Sequence, residues 1–231
     1  MHIGGVEDMP LLYRRHDTLP IPMQIALRQE LANSISHGFG FLFGMVSIPI
    51  LIALSVKYGG PALIVGTSIY GFGFIMVYAF STLYHSLAHP GVKNVLRTLD
   101  HISIYVMIAG SYTPLLLTYM YNPKGITLLA IVWSLALIGI VWKIFFTGRY
   151  EVVSTLAYIG MGWLMITVAK PFFAAMSTAC MVMILVGAVL YCLGAVFYLW
   201  KRFTYHHVVW HLFVLAASIC HYVAILLTIV R

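Results

Sequence analysis

A chain of 231 residues that is 62% hydrophobic and 8% charged lies well above the roughly 45–50% apolar content of soluble domains, which excludes a water-soluble globule and leaves one membrane-embedded bundle. The net charge of +7 does not point to nucleic acid, because the basic residues stand singly between apolar runs and form no groove-sized patch. Cys180, Cys192 and Cys220 lie in apolar stretches without C-x-x-C spacing; they read as small buried residues, and no disulfide is expected.

Residues 1–24 carry mixed charge and chain breakers. They reach Arg14-Arg15 without an apolar h-region, so a cytoplasmic tail or surface helix is expected rather than a secretory signal. Residues 25–231 form one transmembrane domain. Apolar runs at 33–56, 62–86, 99–121, 125–146, 152–172, 178–200 and 207–230 each satisfy the length of about 20 residues that a span requires. The breaks carry turn chemistry: Lys57-Tyr58-Gly59-Gly60-Pro61, His89-Pro90-Gly91, Asn122-Pro123-Lys124-Gly125 and Thr147-Gly148-Arg149. The expected fold is an all-α seven-transmembrane helix bundle, since open sheet edges cannot exist in hydrocarbon. Lys and Arg divide unevenly between its two sides. Arg14, Arg15, Arg28, Lys93, Arg97, Lys143, Arg149, Lys201 and Arg202 fall on one, against Lys57, Lys124, Lys170 and Arg231, which places the N-terminus in the cytoplasm and the C-terminus outside.

With the spans placed, the polar residues gather at the cytoplasmic end. The first span carries Glu30, Asn33 and His37 along one stripe. The second ends with Ser81-x-x-x-His85, the third starts at Asp100, and the seventh opens with His207-x-x-x-His211, whose i, i+4 spacing lets two imidazoles reach one ion. Ionisable groups at membrane depth are costly and face a bundle interior, so four segments contributing such groups point to one buried site. Three imidazoles, His85, His207 and His211, match the ligand count of a catalytic zinc ion that keeps its fourth position for water. Asp100 is placed to orient that water or act as general base, and Ser81 to donate to an oxyanion or support a ligand. Zinc makes hydroxide available near neutral pH, which suits hydrolysis of an amide or ester. Glu30, Asn33 and His37 either orient the site or hold the first helix to the bundle by hydrogen bonds.

The stretches Glu30-x-x-Asn33-x-x-Ser36-His37, Ser81-x-x-x-His85, Leu99-Asp100, Ala109-Gly110-Ser111-Tyr112-Thr113-Pro114 and His207-x-x-x-His211 resemble, together and in order, the hallmarks of the bacterial haemolysin III proteins. These are the prokaryotic branch of the progestin and adipoQ receptor family, grouped with alkaline ceramidases in a wider superfamily of membrane hydrolases. The resemblance spans about residues 25–230. It implies seven spans in a bacterial inner membrane, a cytoplasmic N-terminus, Zn2+ on His85, His207 and His211, Asp100 contacting the ion through water, and a membrane lipid as substrate, ceramide-like in some eukaryotic relatives.

Blander readings stand beside these. Two histidines at a helix end can face lipid headgroups, and Asp100 near a helix start suits capping and the helix dipole. His89, His101 and His206 read as interfacial, and His221, some 15 Å along the helix from His211, is too far to share an ion. Gly40-x-x-x-Gly44 reads as a close helix contact, and Pro114 as a kink whose freed backbone groups Ser111 and Thr113 satisfy. At the level of function the rivals are a zinc-stabilised receptor or homeostasis protein without turnover, and a pore-forming cytolysin. The pore reading requires a continuous polar stripe that the outer halves of the spans lack, and a proton-coupled transporter would need midplane charges and inverted repeats that are not visible. Oligomeric state is not encoded in any motif.

Overall fold

The computed structural model describes residues 20–230, so the tail expected over 1–24 lies mostly outside the described residues. The elements in order are α1 (Ile21–Tyr58), α2 (Pro61–Ser86), α3 (Pro90–Tyr119), α4 (Pro123–Phe146), α5 (Glu151–Trp163), α6 (Ala169–Ala174), α7 (Thr178–Leu199) and α8 (His206–Ile229). A 3₁₀ turn over Leu164–Val168 joins α5 to α6. Seven segments are long and apolar enough to cross a membrane, the α5–α6 stretch Glu151–Ala174 counting as the fifth. The expected seven-helix bundle is therefore what forms.

Two helices start earlier than their apolar runs. α1 begins at Ile21 rather than 33, and α3 at Pro90 rather than 99. A hydropathy window stops at Arg28 and Glu30, or at Lys93 and Arg97, but these straight-chain residues are good helix formers and the backbone continues through them. Proline marks the starts. Pro61, Pro90 and Pro123 each open a helix, where the missing N–H costs nothing and φ is already set.

Between apolar helices in lipid, association rests on close packing and hydrogen bonds. Tyr70, Phe74 and Tyr78 of α2 follow one stripe and are fully buried. Gly40 and Gly44 of α1 lie under two of these rings: a Cβ on Gly40 would sit 2.3 Å from Tyr78, and one on Gly44 2.8 Å from Phe74. The expected small-residue contact thus takes a specific form, in which α1 supplies the hollow and α2 the aromatic. The Tyr70 and Tyr78 hydroxyls donate to the Ser218 and Val214 carbonyls of α8, and Tyr222 of α8 donates to the Ser47 carbonyl of α1. Pro114 is accommodated by Gly66, whose Cβ would stand 2.5 Å from the Pro114 Cα. The Ser111 and Thr113 hydroxyls donate to the Ile108 and Ala109 carbonyls. The carbonyl that Pro114 deprives of its helical donor, four residues back, is that of Gly110, so the expected compensation by these two hydroxyls is not what forms.

The fifth span was expected to be continuous over 152–172. It breaks instead, because Pro171 cannot supply an N–H to the preceding turn and its ring crowds the carbonyl four residues back. Tyr112 of α3 stitches the break: its hydroxyl faces the Met161 and Gly162 carbonyls at 2.8 and 2.7 Å and accepts from the Met165 N–H at 3.1 Å. One side chain meets the backbone groups that irregular structure leaves open at membrane depth.

The helices pack most extensively as α2 on α3, α7 on α8, α1 on α2 and α8, and α3 on α4, while α5 touches α3, α4 and α7 only lightly. Gly160 and Gly162 of α5 face open space. The loose packing around α5 is where the bundle holds its main cavity.

Candidate metal centre

His85 ends α2 and His207 and His211 open α8, so the two helices bring three imidazoles to one end of the bundle. Ring centroids are 5.3 Å apart for His85 and His207, 5.0 Å for His85 and His211, and 4.7 Å for His207 and His211, a nearly equilateral triangle. One ring nitrogen from each lies within 4.8 Å of the other two.

Two of the three rings are held from behind. His85 Nδ1 lies 3.0 Å from Glu30 Oε2, which also accepts from Lys93 Nζ at 3.0 Å. His211 Nδ1 lies 3.3 Å from both the Asn33 carbonyl and Ser36 Oγ. An Nδ1–H that donates to the carboxylate or carbonyl leaves the Nε2 lone pair free, the arrangement that metal-bound histidines show. His85 Nε2 and His211 Nε2 are indeed buried without any hydrogen-bond partner. Unpaired buried polar atoms are rare and call for an explanation. A cation among the three rings would supply one. Nitrogens that share a tetrahedral ion at ~2.0–2.1 Å stand about 3.4 Å apart, so holding such an ion would need the rings to close by up to about 1.4 Å.

Glu30, Asn33 and His37 were expected to share a face and serve the site or the packing. Glu30 faces His85 by its carboxylate, whereas Asn33 serves His211 through its backbone carbonyl, its own Oδ1 being buried and unpaired. His37 stacks on His211 with centroids 3.6 Å apart and meets Tyr78 edge-on. Ser36, part of the same stretch but not singled out as a site residue, is a contact that sequence reasoning missed; its place three residues after Asn33 on the buried stripe was the available signal. Asp100 is 6% exposed. It borders the main cavity, and Ser81 Oγ beside it is buried with no hydrogen bond of good geometry.

Among the described residues the other histidines stay outside the triangle. His101 Nδ1 is 2.7 Å from the Arg97 carbonyl of its own helix, so a helix-backbone bond rather than interfacial solvation accounts for it. His221 packs against Gly187 and Tyr191 of α7.

The main cavity has a volume of 370 Å³ and lies among α2, α3, α5, α7 and α8. His37, Asp100 and His207 line its polar part; Val77, Ile104, Met107, Ile108 and Val214 make apolar walls; Tyr112, Trp163 and Tyr191 lie deeper. At the polar end Glu151 pairs with Arg97 at 3.4 Å and with Lys201 at 2.6 Å, tying α5 to α3 and to the α7–α8 loop. A second cavity of 230 Å³ touches the triangle from the α1 side.

The model of the family described as haemolysin-III related matches residues 25–222, the whole of this arrangement. The chain belongs to that family. Among its relatives, the hemolysin-3 homolog of Bacillus subtilis (strain 168) is 43% identical over 205 residues, 89% of this chain and 96% of the relative. Hemolysin-3 of Bacillus cereus is 43% identical over 192 residues, 83% of this chain and 88% of the relative. Monocyte to macrophage differentiation factor of Homo sapiens is 29% identical over 208 residues, 85% of this chain and 83% of the relative. No solved structure matches significantly. This haemolysin-III family member is a multi-pass membrane protein with a three-histidine group able to hold a metal ion, and a bacterial inner membrane fits it.

Proposed function

We propose that this protein is a zinc-dependent hydrolase of a lipid amide or ester, with its site in the cytoplasmic leaflet. The observation that carries the reading is the pair of buried, unpartnered Nε2 atoms of His85 and His211 converging with His207, a histidine that also lines the polar end of a cavity with apolar walls. Three neutral imidazoles form the donor set of catalytic zinc. Arg28, Lys93, Arg97, Lys143, Arg149, Lys201 and Arg202 gather at the histidine end, against Lys57, Lys124 and Lys170 at the other, which supports a cytoplasmic site.

Bound there, zinc would supply Lewis acidity and make water a nucleophile at neutral pH. The chain's own groups do the rest. The apolar walls take an acyl chain and exclude bulk water. Asp100, on the border between walls and histidines, orients the attacking water, accepts its proton on a carboxylate oxygen and returns it to the leaving nitrogen or oxygen. Ser81 Oγ, buried beside Asp100 without a hydrogen bond of good geometry, would turn to donate to the substrate carbonyl oxygen.

Metal analysis of the purified protein tests the first half. Wild type should carry one zinc, and His85→Ala, His207→Ala and His211→Ala should each lose it; full occupancy in all three variants would refute the ligand set. Turnover tests the second half. Asp100→Asn should keep zinc yet lose hydrolysis of a lipid amide or ester by at least ~100-fold, and zinc without turnover of any such lipid in wild type would favour a zinc-stabilised receptor or homeostasis protein instead. The Bacillus cereus relative's name refers to haemolysis. A pore is the weaker reading here, because the buried ionisable side chains His37, His85, Asp100, Lys143 and His211 collect at one end of the bundle rather than along it.

A further inference from the structure

We infer that the smaller cavity is the aqueous loading path of the metal centre, with the oxygens of Glu30 and Asn33 as a transit site for a divalent cation. The inference rests on the reading of the three histidines as metal ligands.

Water reaches the triangle only at its His207 edge, which is half-buried, since His211 is fully buried and His85 is 6% exposed. At the polar end of the main cavity a hydrated cation would meet Arg97 and Lys201, which hold both oxygens of Glu151, so like charge opposes its entry there before Asp100 is reached. The smaller cavity offers the opposite surroundings. Glu30, Asn33, His85, Thr204, His207 and Val208 line it, so it reaches two of the three proposed ligands. Glu30 is its charged group, 38% exposed in its side chain, with Oε2 committed to His85 and Lys93 and Oε1 left over. Asn33 is 4% exposed, and its Oδ1 is a buried acceptor with no hydrogen-bond partner.

These oxygens come in the order that stepwise dehydration needs. A carboxylate within reach of water attracts the cation, an amide oxygen replaces part of its shell, and the imidazole nitrogens take it last. Gln29 Nε2 donates to the Thr204 carbonyl, which fixes the α7–α8 loop over this cavity and sets its width. Glu30 then has two tasks, to steady His85 and to receive the ion.

The test follows zinc loading, not activity. Protein in detergent micelles is stripped with a chelator, zinc is added, and occupancy is followed in time. Val208→Trp and Thr204→Trp narrow the smaller cavity, Asn33→Leu removes the amide oxygen but keeps the backbone carbonyl that faces His211, and Ile159→Trp fills the main cavity. We expect Val208→Trp or Thr204→Trp to load at least ~10-fold more slowly, Asn33→Leu to load more slowly as well, and all to reach wild-type occupancy, while Ile159→Trp keeps the wild-type rate. Wild-type rates in the narrowed variants and Asn33→Leu would overturn the path, as would slowing confined to Ile159→Trp. A folded wild type that takes up no zinc at all would instead overturn the metal-centre reading beneath it.

Discussion

In the proposed metal centre the functional weight sits on single ring nitrogens. His85 is buried, and its outer nitrogen is held by a carboxylate that a lysine also holds in place. Replacing Glu30 by alanine leaves that nitrogen without its acceptor and lets the ring turn, so zinc affinity should fall about 10–100-fold; Glu30→Gln, which keeps an acceptor but no charge, should fall in between. Competition with a chromophoric chelator measures both, and unchanged affinity in Glu30→Ala would remove the supporting role. The three histidines were legible in the sequence because i, i+4 spacing and a common helix end survive translation into three dimensions. The contacts to His211 were not. Asn33 acts through its carbonyl, which every residue possesses, so its identity gave no warning of that role. Ser36 looks like any small polar residue on a packed stripe.

At the scale of helices, hydropathy located all seven spans but misplaced their polar ends, since a helix continues through Arg28, Glu30, Lys93 and Arg97 where an apolar window stops. It also missed the interruption in the fifth span, although Pro171 was there to announce it. That interruption depends on the Tyr112 hydroxyl, which meets two carbonyls and one N–H. Tyr112→Phe keeps the ring and strands these groups, for an expected loss of about 1–2 kcal/mol, measurable as earlier unfolding in a detergent titration. Gly40→Val makes a separate test of the α1–α2 contact. Its new side chain would start 2.3 Å from the Tyr78 ring, and since Tyr78 is fully buried the helices must separate, so this variant should be destabilised more than one at Gly60, beside which nothing lies within 4 Å.

The bundle as a whole is dense around α1, α2, α3 and α8 and loose around α5, and the sequence did not disclose that contrast, because every span is apolar enough to be packed on any side. Zinc would act on the dense side. It would join α2 to α8, with α1 gripping both rings from behind, so binding to the folded state alone should raise stability by about 4 kcal/mol at a thousandfold excess over Kd. Thermal unfolding with and without zinc should show the rise in wild type and none in His211→Ala. The separation of those ligands along the chain also bears on biosynthesis. His85 emerges from the ribosome well before the last helix, and a nascent polypeptide halted anywhere short of α8 offers one imidazole of the three. Retention of the ion would thereby distinguish finished, fully inserted molecules from truncated ones, without any separate sensor.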